Sequence, residues 1–246
     1  MKAIAALMLM TAVVCAAGCT KPDEPNNGGN NNGGSNGGGN SGGTGTYNGY
    51  EYVDLGLPSG ALWATCNVGT DTPEGYGDYF AWGETHPKTT YNWSTYKYCN
   101  GDRYQLTKYC DKSSFGYNGF TDDLTTLLPE DDAATANWGG NWRMPTLEKW
   151  QELLANTTNK WISKNGVNGR LFTADNGNSL FLPAAGGHWD NEVDIVVSYG
   201  NYWSSSLFIG HPDNASVLNF YSGGVQLGDG DCRNYCFSVR PICSAQ

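Results

Sequence analysis

The feature that most constrains the fold is the stretch from Trp138 to Leu154. It begins with two tryptophans and two glycines, and it continues with the apolar and polar spacing of an amphipathic helix. Pro145 disfavours helical dihedrals at the residue before it, and Thr146 supplies a side-chain oxygen suited to an N-cap. The apolar residues that follow recur at spacings of three and four: Leu147, Trp150, Leu153 and Leu154. This stretch therefore predicts a helix that begins after Thr146 and buries one face in the core.

The first 18 residues have the pattern of a secretory signal peptide. A basic start is followed by an apolar run that is shorter than the roughly 20 residues needed to span a bilayer. The sequence Ala16-Ala17-Gly18-Cys19 resembles the processing box of bacterial lipoproteins, in which the cysteine is lipidated and becomes the N-terminus. Asp23-Glu24 resembles the signal that sends such lipoproteins to the cell surface in Bacteroidetes-type bacteria. We therefore expect a lipid anchor at Cys19 and a location at the outer membrane.

A low-complexity segment follows this cysteine. From Asn26 to Thr46 every residue is Asn, Gly, Ser or Thr, so the segment has no apolar surface to bury and is predicted to be a flexible coil. We assign residues 1–18 to the signal peptide, 19–46 to a disordered tether, and 47–246 to one domain. About 200 residues are enough for a sizeable core.

Charge and cysteine usage both fit an exported protein. Removal of residues 1–18 leaves 13 basic and 24 acidic side chains, a net charge of −11, which argues against nucleic acid as a partner. Setting Cys15 and Cys19 aside leaves six cysteines, an even number that suggests disulfides. Closeness in the sequence favours the pairs Cys99–Cys110 and Cys232–Cys236, and Cys66–Cys243 is then the remaining pair. A metal at Cys232 and Cys236 is the alternative, but no neighbouring histidine adds ligands.

Short strand-like runs dominate the rest of the chain. Residues 85–128 show no sustained periodicity and are predicted to be surface excursions, with a short strand at Tyr104–Tyr109. Pro129–Asn137 is predicted to be a short helix with acids at its start. The other strand candidates are Glu51–Leu55, Ala61–Cys66, Tyr79–Trp82, Lys160–Ser163, Arg170–Thr173, Ser179–Leu182, Tyr202–Ser206, Val217–Tyr221, Val225–Leu227 and Phe237–Pro241. Two helices among many short antiparallel strands predict an α+β fold.

Six blocks of sequence carry a resemblance to a known family. They are Leu57–Gly69, Tyr79–Glu84, Glu130–Ala134, Trp142–Thr146, Tyr202–Ser206 and Ser238–Pro241. In this order they resemble the Fibrobacter succinogenes major paralogous domain, which is common in surface lipoproteins. The resemblance implies a C-type-lectin-like fold whose first and last strands lie together, in agreement with a Cys66–Cys243 pair. It implies no defined activity.

One part of the chain departs from the pattern of that family. Cys232-Arg233-Asn234-Tyr235-Cys236 has two cysteines where relatives typically have a serine and a variable residue, which favours an extra local disulfide. Formylglycine-generating enzyme shares the broader fold and has a reactive cysteine pair near its C-terminus, so an oxidase is an alternative. The cysteine spacing here differs from the spacing in that enzyme.

Other catalytic and metal-binding patterns are weak. The histidines His86, His188 and His211 lie in turn-like contexts, and we find no nucleophile elbow or glycine-rich phosphate loop, so we predict no catalytic residues. No cofactor is expected. The acidic stretch from Trp189 to Asp194 could hold calcium through oxygen ligands, although a solvated acidic loop explains it as well.

The leading hypothesis is a surface-tethered adhesion or receptor domain that binds a glycan or protein ligand through loops. A variable receptor diversified by a retroelement is the alternative, because Tyr199–Tyr235 is rich in residues with adenine-rich codons. By analogy with the fold class, the connections after the second helix should form the binding rim. The predicted ligand-binding residues are Trp189, Asp190, Asn191, Asp213, Asn214, Tyr221, Asp229 and Asp231. Aromatic rings stack on sugars, and the polar groups bind hydroxyls.

Overall fold

A computed structural model of the chain describes residues 43–189, 192–194 and 196–244. In these residues the chain forms fourteen β-strands, two α-helices and two 3₁₀ turns, Tyr117–Gly119 and Pro129–Asp131. The predicted α+β class is confirmed. Within the same ranges the longer helix has nine residues, and neither helix is long and apolar enough to cross a bilayer.

The first sheet contains both ends of the described chain. Its strands, in the order β1-β2-β3-β14, are β1 (Thr44–Tyr47), β2 (Tyr50–Asp54), β3 (Ala61–Ala64) and β14 (Ile242–Ser244). β1 begins inside the segment 19–46 that we assigned to the tether. The reason is a hairpin turn at Asn48-Gly49, where φ is 47° and 84°, the backbone conformation that two-residue hairpins favour.

The last strand, β14, pairs with β3 and so lies in the same sheet as the first strands, but this pairing does not bring Cys66 and Cys243 together. Cys243 lies opposite Leu62, four residues before Cys66. Four residues of extended chain span about 13 Å, whereas the Cα atoms of a disulfide lie within about 7 Å. In the described part of the chain the six cysteines form no disulfide.

The other two expected disulfides are also not formed, and their cysteines make other local contacts. The Cys99 thiol donates to the Trp93 carbonyl at 3.0 Å, and the Cys110 thiol donates to the Lys112 carbonyl at 3.1 Å. Cys232 begins a turn in which the Tyr235 N–H donates a hydrogen bond to the Cys232 carbonyl. Burial raises the pKa of the Cys99, Cys110 and Cys232 thiols, which favours the protonated form.

The second sheet contains the strands that later form the candidate site. Its order is β12-β11-β10-β13-β8-β9, with β4 also paired to β13. The strands are β4 (Tyr79–Ala81), β8 (Gly187–Trp189), β9 (Glu192–Asp194), β10 (Tyr199–Leu207), β11 (Asn214–Tyr221), β12 (Gly224–Cys232) and β13 (Cys236–Ser238). A third, three-stranded sheet consists of β5 (Thr157–Lys164), β6 (Val167–Ala174) and β7 (Ser179–Pro183).

The second helix begins where it was predicted, whereas the first begins four residues later than Pro129, because Pro129–Asp131 forms a separate 3₁₀ turn. Helix α1 (Ala133–Trp138) has Asp132 as its N-cap, whose carboxylate accepts from the Thr135 N–H at 3.0 Å. Helix α2 (Leu147–Ala155) follows Thr146 as predicted, but the Thr146 side chain makes no capping hydrogen bond. The Ser206 hydroxyl accepts from the Leu147 N–H at 3.0 Å instead, because tertiary packing places β10 against the helix start.

The predicted strand at Tyr104–Tyr109 is wrong: this segment makes only isolated bridges from Leu106. Tyr109 has a φ of 58°, and the Asp122 carboxylate accepts from the N–H groups of Tyr109 and Cys110, so side chains replace a strand partner. A second carboxylate, Asp131, is buried and accepts from Lys97, Lys108, Tyr98 and Tyr109. These polar contacts anchor the excursion.

The core continues through a series of aromatic contacts. Trp63 packs on Trp150 at 4.7 Å between ring centroids, Trp150 packs on Tyr202 at 6.2 Å, and Tyr202 stacks on Phe220 at 5.9 Å. Trp150 and Leu153 of α2 are fully buried, which confirms the predicted apolar face. Helix α2 therefore contributes directly to the packing beneath β10 and β11.

We predict that Trp150→Ala lowers the free energy of unfolding by about 3–5 kcal/mol, because it removes a large, fully buried side chain. Urea unfolding followed by circular dichroism measures this loss. Gln151→Ala, an exposed substitution in the same helix, is the control and should change the value by less than about 0.5 kcal/mol. Equal effects of the two substitutions would contradict the placement of the helix.

Candidate functional site

An exposed pair of tyrosines lies where β10 begins and β11 ends. Tyr199 and Tyr221 are directly opposite in the antiparallel register, and their rings stack with centroids 5.5 Å apart at 28°. They are 40% and 36% exposed, which is unusual for large side chains in this protein. Exposed aromatic rings grouped on a rigid strand end indicate a contact surface for a ligand.

The two tyrosines border a groove of about 280 Å³. Trp161 of β5 adds a third ring, while Asn168, Ser198 and Ser222 supply amide and hydroxyl groups. No carboxylate and no cationic side chain is among the described residues that line it. The groove therefore presents aromatic faces for stacking and neutral groups for hydrogen bonding.

Two glycines allow the aromatic rings to take these positions. A Cβ atom on Gly200 would lie 2.1 Å from Cζ of Phe220, the ring that also packs against Trp161. A Cβ atom on Gly223 would lie 2.5 Å from Cε2 of Tyr221. Any larger residue would displace a ring, so the Tyr-Gly and Ser-Gly-Gly sequences here set the shape of the groove.

Val197, which lines the groove, has a strained backbone conformation. Val197 is half exposed and has a φ of 66°, a left-handed conformation that a β-branched residue rarely adopts. The Val197 N–H donates to the Ala184 carbonyl at 2.9 Å, and the Val197 carbonyl accepts from the Asn168 side chain at 3.2 Å. Such strain costs about 1–3 kcal/mol and is concentrated at functional sites.

A buried arginine lies beside the groove. Arg170 is only 6% exposed; its Nη2 donates to the Tyr221 carbonyl at 2.8 Å and its Nη1 donates to the Asn159 side chain. In the β5–β6 register Arg170 is opposite Trp161, so both point to the same face of the sheet. Arg170 thus connects the three-stranded sheet to the strand that carries Tyr221.

The structure separates the predicted ligand-binding residues into two groups. Tyr221 is in the groove, whereas Asp213, Asn214, Asp229 and Asp231 lie near the opposite end of β11 and on β12. The eight residues of β11 span about 24 Å, so these residues cannot form one site with Tyr221. The prediction of a single rim is corrected accordingly.

Most residues of the second group serve the structure itself. Asp213 is fully buried and forms an ion pair with Arg103, and the Asn214 side chain donates to the Gly230 carbonyl at 3.2 Å. Burial raises the pKa of Asp231, opposed by a hydrogen bond from Asn219. Asp229 remains exposed.

Several predictions lie outside what is described. Cys19, Asp190 and Asn191 are outside the described residues, and of Trp189 only the backbone, in β8, is described. The two alternatives for Trp189–Asp194, a solvated acidic loop and a calcium site, therefore both stay predictions. Elsewhere, the described residues contain no group of three or more His, Cys, Asp or Glu side chains that could hold a metal ion.

Sequence reasoning missed Trp161, Asn168, Tyr199 and Arg170. Trp161 and Arg170 come from a hairpin that is distant in sequence from Tyr221, and no local pattern indicates that the two regions meet. Tyr199 could have been found, because it is an aromatic residue one position before a glycine at the start of a strand whose partner ends at Tyr221.

Comparisons of the chain with family models, with curated proteins and with solved structures gave no match in any of the three.

We predict that Asp213→Ala lowers the free energy of unfolding by about 2–4 kcal/mol. This is somewhat less than the loss of a wholly buried ion pair costs, because Arg103 is 41% exposed. Thermal and urea unfolding measure the loss. The control is Asp229→Ala, which removes an exposed carboxylate from the neighbouring strand and should leave stability within about 0.5 kcal/mol. A ligand-binding defect without loss of stability in Asp213→Ala would return this aspartate to the binding site.

Proposed function

We propose that this protein is a surface-anchored lipoprotein whose C-type-lectin-like domain binds a glycan through the groove at Tyr199 and Tyr221. The observation that carries the proposal is the stacked, exposed tyrosine pair at the mouth of a groove lined by neutral polar groups. Aromatic faces pack on the apolar faces of sugar rings, and the amide and hydroxyl groups bind sugar hydroxyls.

The position of the groove also supports binding rather than packing. It lies at the ends of β10 and β11, and the core beneath it continues through Phe220 and Tyr202 to Trp150. A rigid base that holds side chains in one arrangement lowers the entropy lost on binding. The pairing of β3 with β14 and the two helices support the C-type-lectin-like assignment.

A variable receptor is the second candidate. The segment Tyr199–Tyr235, whose composition suggested diversification, contains all of β10, β11 and β12 and thus two of the three rings of the groove. Variation in that segment would change the ligand surface directly. A near-copy of this coding segment beside a reverse transcriptase gene would favour this candidate over a glycan-binding protein of constant sequence.

We predict that Tyr221→Ala weakens glycan binding by about 1–3 kcal/mol, the cost of losing a central aromatic anchor, with little change in melting temperature. A glycan array with the full-length protein identifies the ligand, and titration calorimetry measures the affinity. Tyr221→Phe keeps the ring and should bind nearly as well as the wild type.

Tyr104→Ala provides a matched control, since Tyr104 is also exposed but lies outside the groove. Its affinity for the glycan should equal that of the wild type. The proposal fails if the wild type binds no glycan, or if Tyr221→Ala and Tyr199→Ala both retain wild-type affinity.

The lipid anchor is tested separately. Cys19→Ala should leave a precursor that is not cleaved at this site and cannot be labelled with palmitate in cells, because the thiol that accepts the lipid is lost. The matched control is Cys15→Ala, which should be labelled normally. Labelling of the Cys19→Ala protein would show that the anchor is elsewhere.

A further inference from the structure

A cavity of about 480 Å³ lies at the start of the excursion over residues 85–128. It shares no lining residue with the groove at Tyr199 and Tyr221, and, unlike that groove, it is lined by charged side chains. The lining residues that could contact a ligand are Glu84, Thr85, His86, Lys88, Thr95 and Lys97. The chemistry of this cavity therefore differs from that of the groove.

The one carboxylate among these lining residues is fully engaged. Glu84 is 8% exposed, and the Lys88 ammonium lies 2.8 Å from both of its oxygens. The same ammonium donates to the Thr95 carbonyl at 2.9 Å, and the Lys97 backbone N–H donates to Glu84 at 2.8 Å. Glu84 and Lys88 therefore compensate each other, and Glu84 also holds the backbone that carries Lys97.

Lys97 is the cation that a ligand in this cavity can reach. Its side chain is 53% exposed, and its ammonium makes one hydrogen bond to the described residues, to the Asp131 carboxylate at 3.3 Å. An ammonium has three N–H donors, so two remain for a ligand. Asp131 is buried and accepts from the Lys108 ammonium as well, at 2.5 Å. One carboxylate thus serves two ammonium groups, and the charge of Lys97 is only partly compensated.

Positive charge exceeds negative charge among the groups in contact here. Three ammonium groups are paired with two buried carboxylates: Lys88, Lys97 and Lys108 with Glu84 and Asp131. The next carboxylate, Glu130, is 65% exposed, lies 3.9 Å from the Lys108 ammonium and does not line the cavity. Exposed pairs of this kind contribute little, so the cavity favours an anion.

His86 adds a hydrogen-bond donor to the same cavity. It is exposed, and its Nδ1 lies 3.1 Å from the Thr85 hydroxyl. With that hydroxyl as the donor, Nε2 carries the ring proton. Within the described part of the chain Nε2 makes no hydrogen bond, so it can donate to a ligand.

We propose that this cavity is a second binding site, which takes a sulfate or phosphate group of a small molecule and binds it through the Lys97 ammonium. The proposal is independent of the glycan-binding groove. An ammonium is a compact point charge rather than a planar fork, so it suits the several oxygens of a tetrahedral oxyanion, with His86 as a donor to another oxygen. The volume lies within the range of about 300–1,000 Å³ that is usual for small-molecule sites, so the molecule that carries the anion can also enter.

Titration calorimetry with the full-length protein tests this proposal. The probes are inorganic sulfate, inorganic phosphate, glucose 6-sulfate and glucose 6-phosphate, with acetate as a planar anion at the same ionic strength. At least one sulfate or phosphate probe should bind about tenfold more tightly than acetate, and added salt should weaken its binding. The probe that binds most tightly identifies whether the group is sulfate or phosphate, and whether it binds free or as an ester.

Substitutions show whether Lys97 binds the anion. Lys97→Gln should weaken binding of the tightest probe about tenfold or more, because it removes a hydrogen bond from a charged donor, whereas Lys97→Arg keeps the charge and should retain most of the affinity. The matched control is Lys160→Gln, which removes the same charge from an exposed lysine outside the cavity. Its affinity should stay within about twofold of that of the wild type, since distant exposed charges are screened.

Four results would overturn the proposal. They are a wild type that binds no sulfate or phosphate probe, acetate binding as tight as theirs, a folded Lys97→Gln protein with wild-type affinity, and equal losses in Lys97→Gln and Lys160→Gln. If Lys97→Gln does not fold, His86→Ala decides, because loss of its donor should weaken binding about threefold or more. Tyr221→Ala should leave anion binding unchanged, so failure of the groove and failure of this site can be distinguished.

Discussion

The guanidinium of Arg233 is the contact on which the least regular part of the structure depends. It is fully buried, lies 4.9 Å from the ring of Trp82, and donates to four oxygens of the excursion and of the β10–β11 connection. The excursion over residues 85–128 contains no named strand, so its backbone groups need such partners. Arg233 lies between Cys232 and Cys236, the two cysteines that were expected to form a local disulfide. The structural role of this pentapeptide therefore belongs to the arginine, whereas the expected disulfide is absent.

Local signals account for what the sequence predicted correctly. The start of α2 after Thr146 follows from proline and N-cap chemistry, and its buried face follows from the spacing of Trp150 and Leu153. The strand at Ala61–Ala64 follows from an apolar run with Trp63 that comes directly after the turn residues Pro58-Ser59-Gly60. The hairpin at Asn48-Gly49 carried an equally strong local signal, but the low-complexity segment before it concealed the strand that begins at Thr44.

Non-local contacts account for what could not be predicted. The register of β3 with β14 depends on residues that are 179 to 183 positions apart in the sequence. In this register Cys243 lies opposite Leu62, four residues before Cys66. The same reason explains why the predicted ligand-binding residues do not all lie together. A rim was inferred from connections, but β11 runs from one set of connections to the other, which places Asp213 and Tyr221 at opposite ends of one strand. Likewise, the meeting of Trp161 and Arg170 with Tyr221 depends on how the three-stranded sheet packs against β11.

The location of the groove follows from this packing. The β5–β6 hairpin lies against β11, so Arg170 reaches the Tyr221 carbonyl and Trp161 reaches the ring of Phe220. Gly200 leaves space for that ring, and the left-handed backbone of Val197 is retained by hydrogen bonds to Ala184 and Asn168. The contacts of Arg170 and Trp161 link two sheets that the sequence does not connect locally. The shape of the groove therefore depends on how the two sheets pack, because Trp161 comes from one sheet whereas Tyr199 and Tyr221 come from the other.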